Sequence, residues 1–207
     1  MARPFLNDEA KRAFTGAVEA VEAGSSAELV VAVRDHSGSY LHAALLGGVL
    51  VAVATLVVLL FSPWPFDLVW FVVDPLLLGL LAGFLTSRSP VLCRLLTRRA
   101  ERRRRVEIAA RSLFVEKRVH GTTGRTGLLL YISILEREAE LVVDLGVETL
   151  AGTEAWRRAV AEIQEAVRRG EDGIAVAGKV QGLAALLSPV LARQAGDVDE
   201  LANEVCE

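Results

Sequence analysis

Hydrophobic and polar positions follow three different rhythms along this chain. Residues 41–61, LHAALLGGVLVAVATLVVLLF, carry no formal charge, and residues 66–85 are almost as apolar after the short connection SPWPFD. As helices, both runs match a hydrocarbon core of about 30 Å, so residues 41–87 read as a transmembrane hairpin. The flanks alternate differently. Ala10, Phe14, Ala17, Val18 and Val21 make a helical stripe that Asn7 or Asp8 caps and Gly24 ends. AELVVAVR, residues 27–34, is a continuous β-branched run, the pattern of a strand covered on both faces. Residues 126–135 and 138–144 predict two further strands joined by a tight turn at Glu136 and Arg137. Helical stripes return over residues 154–169 and 173–193, and residues 88–118 predict one long helix, arginine-rich at first and amphipathic through Val106, Ala110, Leu113 and Phe114.

A strand near residue 30 cannot stand alone, and its available partners lie near residues 130 and 140. Residues 1–40 and 119–195 are therefore expected to fold together as one α/β domain, an αβα layered sandwich with a small sheet, interrupted by the two-helix hairpin. Residues 88–118 form the basic juxtamembrane helix of this scheme, and residues 196–207 an acidic flexible tail.

Charge gives the hairpin a direction. The net charge of −3 hides a block of arginines after the second span: Arg98, Arg99, Arg102, Arg103, Arg104 and Arg105. The connection between the spans has no Lys or Arg. Basic residues close to a span stay on the cytoplasmic side, which predicts an inner (plasma) membrane protein with both termini cytoplasmic. The same arginines are expected to meet anionic headgroups, each contributing on the order of 1 kcal/mol. No aromatic interleaving or base-reading motif accompanies them, so nucleic acid is not an expected partner. The two cysteines are far apart, which fits neither a disulfide scaffold nor a zinc site, and the first residues lack the pattern of a signal peptide, leaving targeting to the internal spans.

Asp74 and Pro75 interrupt the second span near its middle. An ionised aspartate there costs about 2.5–3.5 kcal/mol. Asp74 is thus expected to face a partner helix, to be protonated, to line a wet path, or to sit nearer the interface if the span begins later. Gly79 and Gly83 form a GxxxG pair, and Gly48 belongs to a small-residue stripe in the first span. With Asp74 these are assigned to helix packing, within the hairpin or between two copies.

Three short pieces are distinctive: Ser26-Ala27-Glu28 leading into the first strand, Arg125-Thr126-Gly127 opening the second, and Glu136-Arg137-Glu138 at the turn. In this order, followed by a Trp-bearing helix, they resemble the TPM domain family, which includes members split by a transmembrane pair. The resemblance implies an αβα sandwich for the part outside the membrane. Family members have been associated with acid phosphatase activity, divalent-cation binding, and assembly or repair of membrane complexes, so the fold alone does not choose one chemistry.

No catalytic residue can be assigned from the sequence. There is no Cys-x5-Arg loop and no Asp-x-Asp pair after a strand, and His36, His42 and His120 lack catalytic or metal spacing. The loop GTTGRTG either makes a turn or, through Gly124, Arg125 and Gly127, offers an anion site. Asp35 and Asp144, each after a strand, are expected to approach one another if the strands' carboxyl ends meet, with Glu28 at the opposite end. By position and resemblance these three are the candidate ligands for a divalent cation, Ca²⁺ or Mg²⁺. The leading functional expectation is a membrane-anchored cytoplasmic module for interaction or complex assembly. Its partners would be lipids together with a membrane protein or a second copy bound through the hairpin. The alternatives are a metal-dependent, acid-phosphatase-like hydrolase and an intramembrane ion or proton role for Asp74.

Overall fold

The computed structural model describes residues 5–193 and 205–206. Its elements, in chain order, are α1 (Asp8–Gly24), β1 (Glu28–Arg34), α2 (Leu41–Phe61), α3 (Trp70–Arg88), α4 (Pro90–Leu96), α5 (Arg99–Glu116), β2 (Gly127–Ser133), β3 (Glu138–Val143), α6 (Glu148–Ala151), α7 (Glu154–Arg169), α8 (Gly173–Gln181) and α9 (Ala184–Leu187). The fold is mixed α/β. It separates into two compact units, one joining the segment up to Ser37 to the segment from Arg103 onward, the other being Gly38–Arg102.

The first unit is organised by its sheet, ordered β1-β2-β3. β1 pairs parallel with β2, from Glu28 opposite Gly127 to Arg34 opposite Ser133, and β3 returns antiparallel, with Leu128 opposite Val143. Alternation along the strands sorts the side chains into two buried faces. Leu29, Val31 and Val33 join Leu128, Leu130 and Ile132 against Phe14 and Val18 of α1 and Ile163 of α7. Val30, Ala32, Leu129 and Tyr131 meet Val106, Ala110 and Phe114 of α5. Burying a side chain such as Phe14, which has no exposed surface, is worth about 1.5–3 kcal/mol, so these faces hold the discontinuous segments together.

The helix ends follow the chemistry of their sequences. Asn7, Thr153 and Asp172 each accept a bond from the backbone N–H three residues on, and Gly170 ends α7 with φ of 75°. The long helix expected over residues 88–118 is in fact two. Ser89 caps α4 with Pro90 in its first turn, and Thr97 leaves helical geometry at φ −116° and ψ 126°. Arg102 then holds this corner through Nη1, which donates to the carbonyls of Arg94 at 2.5 Å and Thr97 at 3.0 Å. The tail also departs from expectation. Residues 196–204 and 207 lie outside the described residues, but Cys206 pairs with the outer edge of β1, donating to the Val31 carbonyl and accepting from the Val33 N–H, both at 2.9 Å.

The second unit contains two helices long and apolar enough to cross a membrane, of 21 and 19 residues, with only 11% of each apolar window buried. Soluble core helices of that length would hide most of this surface. The second begins at Trp70 and ends at Arg88, later than the expected 66–85, because residues 66–69 only lead into its first turn. Asp74 is therefore its fifth residue, about 6 Å from its start rather than at its middle. Pro75 lies at the next position, inside the helix just past its first turn, where it removes the backbone donor that would otherwise meet the Phe71 carbonyl.

The small residues bring α2 and α3 together within one chain. A methyl group added to Gly48 would lie 2.8 Å from the Gly79 carbonyl oxygen, and one added to Gly83 would lie 3.1 Å from that of Ala44. Gly127 is the corresponding close approach in the sheet unit: a Cβ there would fall 2.0 Å from the Val119 carbonyl oxygen. Gly127→Ala is expected to cost about 1–3 kcal/mol by overpacking, read as a lower midpoint in chemical denaturation followed by near-ultraviolet circular dichroism. An unchanged midpoint would show that this approach does not constrain the fold.

Candidate functional site

The strand directions decide which candidate residues meet. Because β3 runs antiparallel to β2, its carboxyl end returns to the start of β1, and the Asp144 N–H donates to the Gly127 carbonyl at 2.9 Å. Asp144 and Glu28 therefore flank Gly127 at one edge of the sheet. Asp35 is at the other, separated by the length of β1, on the order of 20 Å. The expected meeting of Asp35 and Asp144 does not occur, since strands of opposite direction do not share a carboxyl end. Among the described residues, no group of three His, Cys, Asp or Glu side chains is arranged to hold a metal ion.

Asp144 already has local work. Its Oδ1 accepts from the Leu145 N–H at 2.8 Å, and the Arg125 guanidinium Nε lies 3.5 Å from its carboxylate. The loop that carries Arg125 closes on itself. The Arg125 N–H donates to the Thr122 carbonyl, the Thr126 N–H to Thr122 Oγ1 at 3.0 Å, and Thr126 Oγ1 to the Ser26 carbonyl at 2.6 Å. Arg125 is held at φ 52°, and its carbonyl accepts from Gly146. The amides of Arg125, one of the residues of the expected anion site, and of Thr126 serve the turn between α5 and β2. Gly124 belongs to the same turn, and Gly127 is filled by Val119.

The arginine block is likewise divided in use. Arg102 is spent on the α4–α5 corner, and Arg103 pairs with Glu107 at 3.0 Å one turn along α5. Arg98, Arg99 and Arg104 are exposed, and Arg105 is half-buried. In the hairpin, Gly48, Gly79 and Gly83 lie in the helix contact, whereas Asp74 is half-buried near the start of α3. Along α3, Asp74 is thus near the first turn rather than at the helix centre.

The other edge of the sheet, where the parallel strands β1 and β2 both end, holds an arrangement that the sequence reading missed. Glu136, 1% exposed, turns back from the β2–β3 connection and accepts from the Ser37 N–H at 2.8 Å. Its other oxygen accepts from Ser133 Oγ. Ser37 Oγ in turn donates to Ser133 Oγ at 2.8 Å and lies 3.2 Å from the Tyr131 hydroxyl. A carboxylate withdrawn from water needs such partners, and these bind the residue at which the first segment leaves the domain to the hairpin that closes it. The signal was present in the sequence: Ser133 is the polar residue ending the mostly apolar run GLLLYIS, in a strand that the structure buries along its whole length.

Beside this network is a cleft of about 580 Å³ lined by Phe5, Leu6, Val33, Arg34, Asp35, His36 and Ile134. Crevices beyond the carboxyl ends of parallel strands are the usual ligand positions of open α/β sheets. Here the cleft combines an apolar floor with a cation, a carboxylate and an imidazole.

A second carboxylate on the α5 face is electrostatically loaded. Glu140 lies opposite Tyr131, and its pKa is raised above the ordinary 4.5 by burial first and then by Glu107, with a further contribution from Glu138; Arg103 and Arg111 act in the opposite direction.

No family model matches the chain, and no curated protein matches it. Among solved structures, it is similar to the NMR structure of BA42 protein from the psychrophilic bacterium Bizionia argentinensis, with a TM-score of 0.58 at 14% identity, covering 100% of this chain and 97% of that one. At that identity the likeness shows a shared fold and nothing about activity.

The Glu140 shift has a definite sign. A carboxyl with a raised folded-state pKa binds more protons folded than unfolded, so stability falls as pH rises from about 4.5 through the folded value. Glu140→Gln is expected to flatten that part of the stability–pH profile and to be more stable than the parent above it, measured by denaturation at stepped pH. A profile unchanged by the substitution would contradict the assignment.

Proposed function

We propose that the chain is a membrane-anchored interaction module: a TPM-like αβα layered domain on the cytoplasmic side, held at the inner membrane by the α2–α3 hairpin and serving the assembly of a membrane complex. The observation that carries this reading is the insertion itself. The two apolar helices interrupt the domain between β1 and its partner β2, so the sheet's first strand connects directly to the anchor. The packing of α1 and α7 on one sheet face and α5 on the other supports the layered description. The arginine-rich segment after α3, against a connection between the helices without Lys or Arg, supports cytoplasmic termini. Ile108 and Val115 on α5 are 59% and 62% exposed, and they offer apolar contact points for a protein partner on the domain.

The cleft beside β1 supports a second reading, a phosphate-ester hydrolase in which Arg34 holds the anion and Asp35 or His36 handles the proton. Asp35 replaces Asp144 in that scheme because Asp144 lies at the other edge, bound to Arg125.

The two readings separate in one set of experiments. A photo-cross-linking side chain placed at Ile108 or Val115 in native membranes is expected to yield a discrete adduct with a membrane protein. Absence of any adduct from both positions would overturn the interaction reading. Phosphate release from p-nitrophenyl phosphate with Ca²⁺ or Mg²⁺, abolished in Asp35→Asn and retained in Asp144→Asn, would establish the hydrolase instead.

A further inference from the structure

The short helix α4 has no assigned part in the hairpin or the sheet. It lies across the end of the hairpin unit at which α2 begins and α3 finishes. The Cys93 thiol, on its inner side, donates to the carbonyl of Thr86 in the last turn of α3 at 3.2 Å. At its far end, the Thr97 hydroxyl is 3.1 Å from Nε2 of His42, the second residue of α2. One short helix is thus tied to both long helices at the same level, with Cys93 1% and Thr97 3% exposed.

Its other side is apolar and uncovered. At 100° per residue, Val91, Leu92 and Leu95 share one face, and they are 63%, 38% and 77% exposed. Arg94 borders that face, and Arg98 follows immediately after the helix. From Pro75 to Ala100 the sequence contains no acidic residue. An apolar face bordered only by cations, at the level where two membrane-length helices end, has the composition of a segment lying in the headgroup layer.

We propose that α4 is an interfacial foot of the hairpin, lying along the cytoplasmic surface of an anionic bilayer. Val91, Leu92 and Leu95 enter the boundary between headgroups and acyl chains, and Arg94 and Arg98 meet lipid phosphates. The proposal rests on the reading that α2 and α3 cross the bilayer. It adds that the chain does not leave the lipid at Arg88 but turns along its surface until Thr97. The Ser89-Pro90 start and the break at Thr97 then have a physical purpose, since a single helix over residues 88–118 would carry this apolar face straight into water.

The test uses full-length protein carrying Cys206→Ser, reconstituted into vesicles of phosphatidylcholine and phosphatidylglycerol, with an environment-sensitive fluorophore on a single introduced cysteine. Val53, exposed near the middle of α2, reports the crossing, and Val91 and Leu95 report the foot; protein without an introduced cysteine controls for labelling of buried Cys93. The expected result is quenching at Val53 by lipids brominated deep in the chain, and at Val91 and Leu95 by lipids brominated near the headgroup, with no quenching of these three by aqueous iodide. Iodide quenching at Leu95 with Val53 still in lipid would overturn the foot and leave the crossing intact. Iodide quenching at both would overturn the crossing, and the foot with it. Shielding of Leu95 from both quenchers would show a protein surface, such as a second copy, covering the face and would likewise overturn the proposal. Shallow quenching at Leu95 that is undiminished in pure phosphatidylcholine would overturn the part assigned to Arg94 and Arg98.

Discussion

The parallel pairing of β1 with β2 is the interaction on which the rest of this structure depends. Each strand supplies half of a ladder, and between them the chain makes the whole Gly38–Arg102 excursion. Parallel neighbours always require a crossover, usually a helix packed on the sheet. Here the crossover contains an additional compact unit, with two exposed helices long and apolar enough to cross a membrane. If the two helices cross a bilayer, as proposed above, the pairing requires the excursion to return to the side from which it departed, which an even number of crossings allows.

Polar residues at the sheet edges stabilise this arrangement in different ways. At the edge where β1 and β2 end, Glu136 joins Ser37 and Ser133, so a buried carboxylate secures the exit of the first segment. At the opposite edge, Gly127 leaves room for the Val119 carbonyl, and Asp144 anchors the chain after β3 to the loop before β2. The open cleft lies at the first edge, and the strand-end acids with local partners lie at the second. A functional argument built on carboxylates must therefore choose one edge, and the free volume is beside Asp35.

Much of this was legible in the sequence, because periodicity survives wherever one side of an element is buried. The α1 stripe, the β-branched run of β1 and the two long apolar segments each have one dominant pattern. The position of Asp144 was only half implied: a tight turn between β2 and β3 makes them antiparallel, but Asp144 lies away from Asp35 because β1 also runs parallel to β2, a direction that no local pattern reports. The break at Thr97 was harder to see, since arginines favour helix and the Ser89-Pro90 signal marks a start without marking the next stop. Glu136 was read only as a turn residue, because one of its partners, Ser37, lies 99 positions earlier, a separation that no local pattern reports. The pairing of Cys206 with β1 is hidden for the same reason.

Pairing of β1 with β2 around two membrane-crossing helices requires both halves of the sheet domain to meet on one side of the membrane. Single cysteines at Arg12 in α1 and Arg158 in α7, and a third at Pro65 between α2 and α3, test it in sealed right-side-out vesicles treated with a membrane-impermeant maleimide. Labelling is expected at position 65 alone, with positions 12 and 158 reacting only after the vesicles are opened. Labelling of 12 and 158 from opposite sides would contradict it, because strands divided by a bilayer cannot pair.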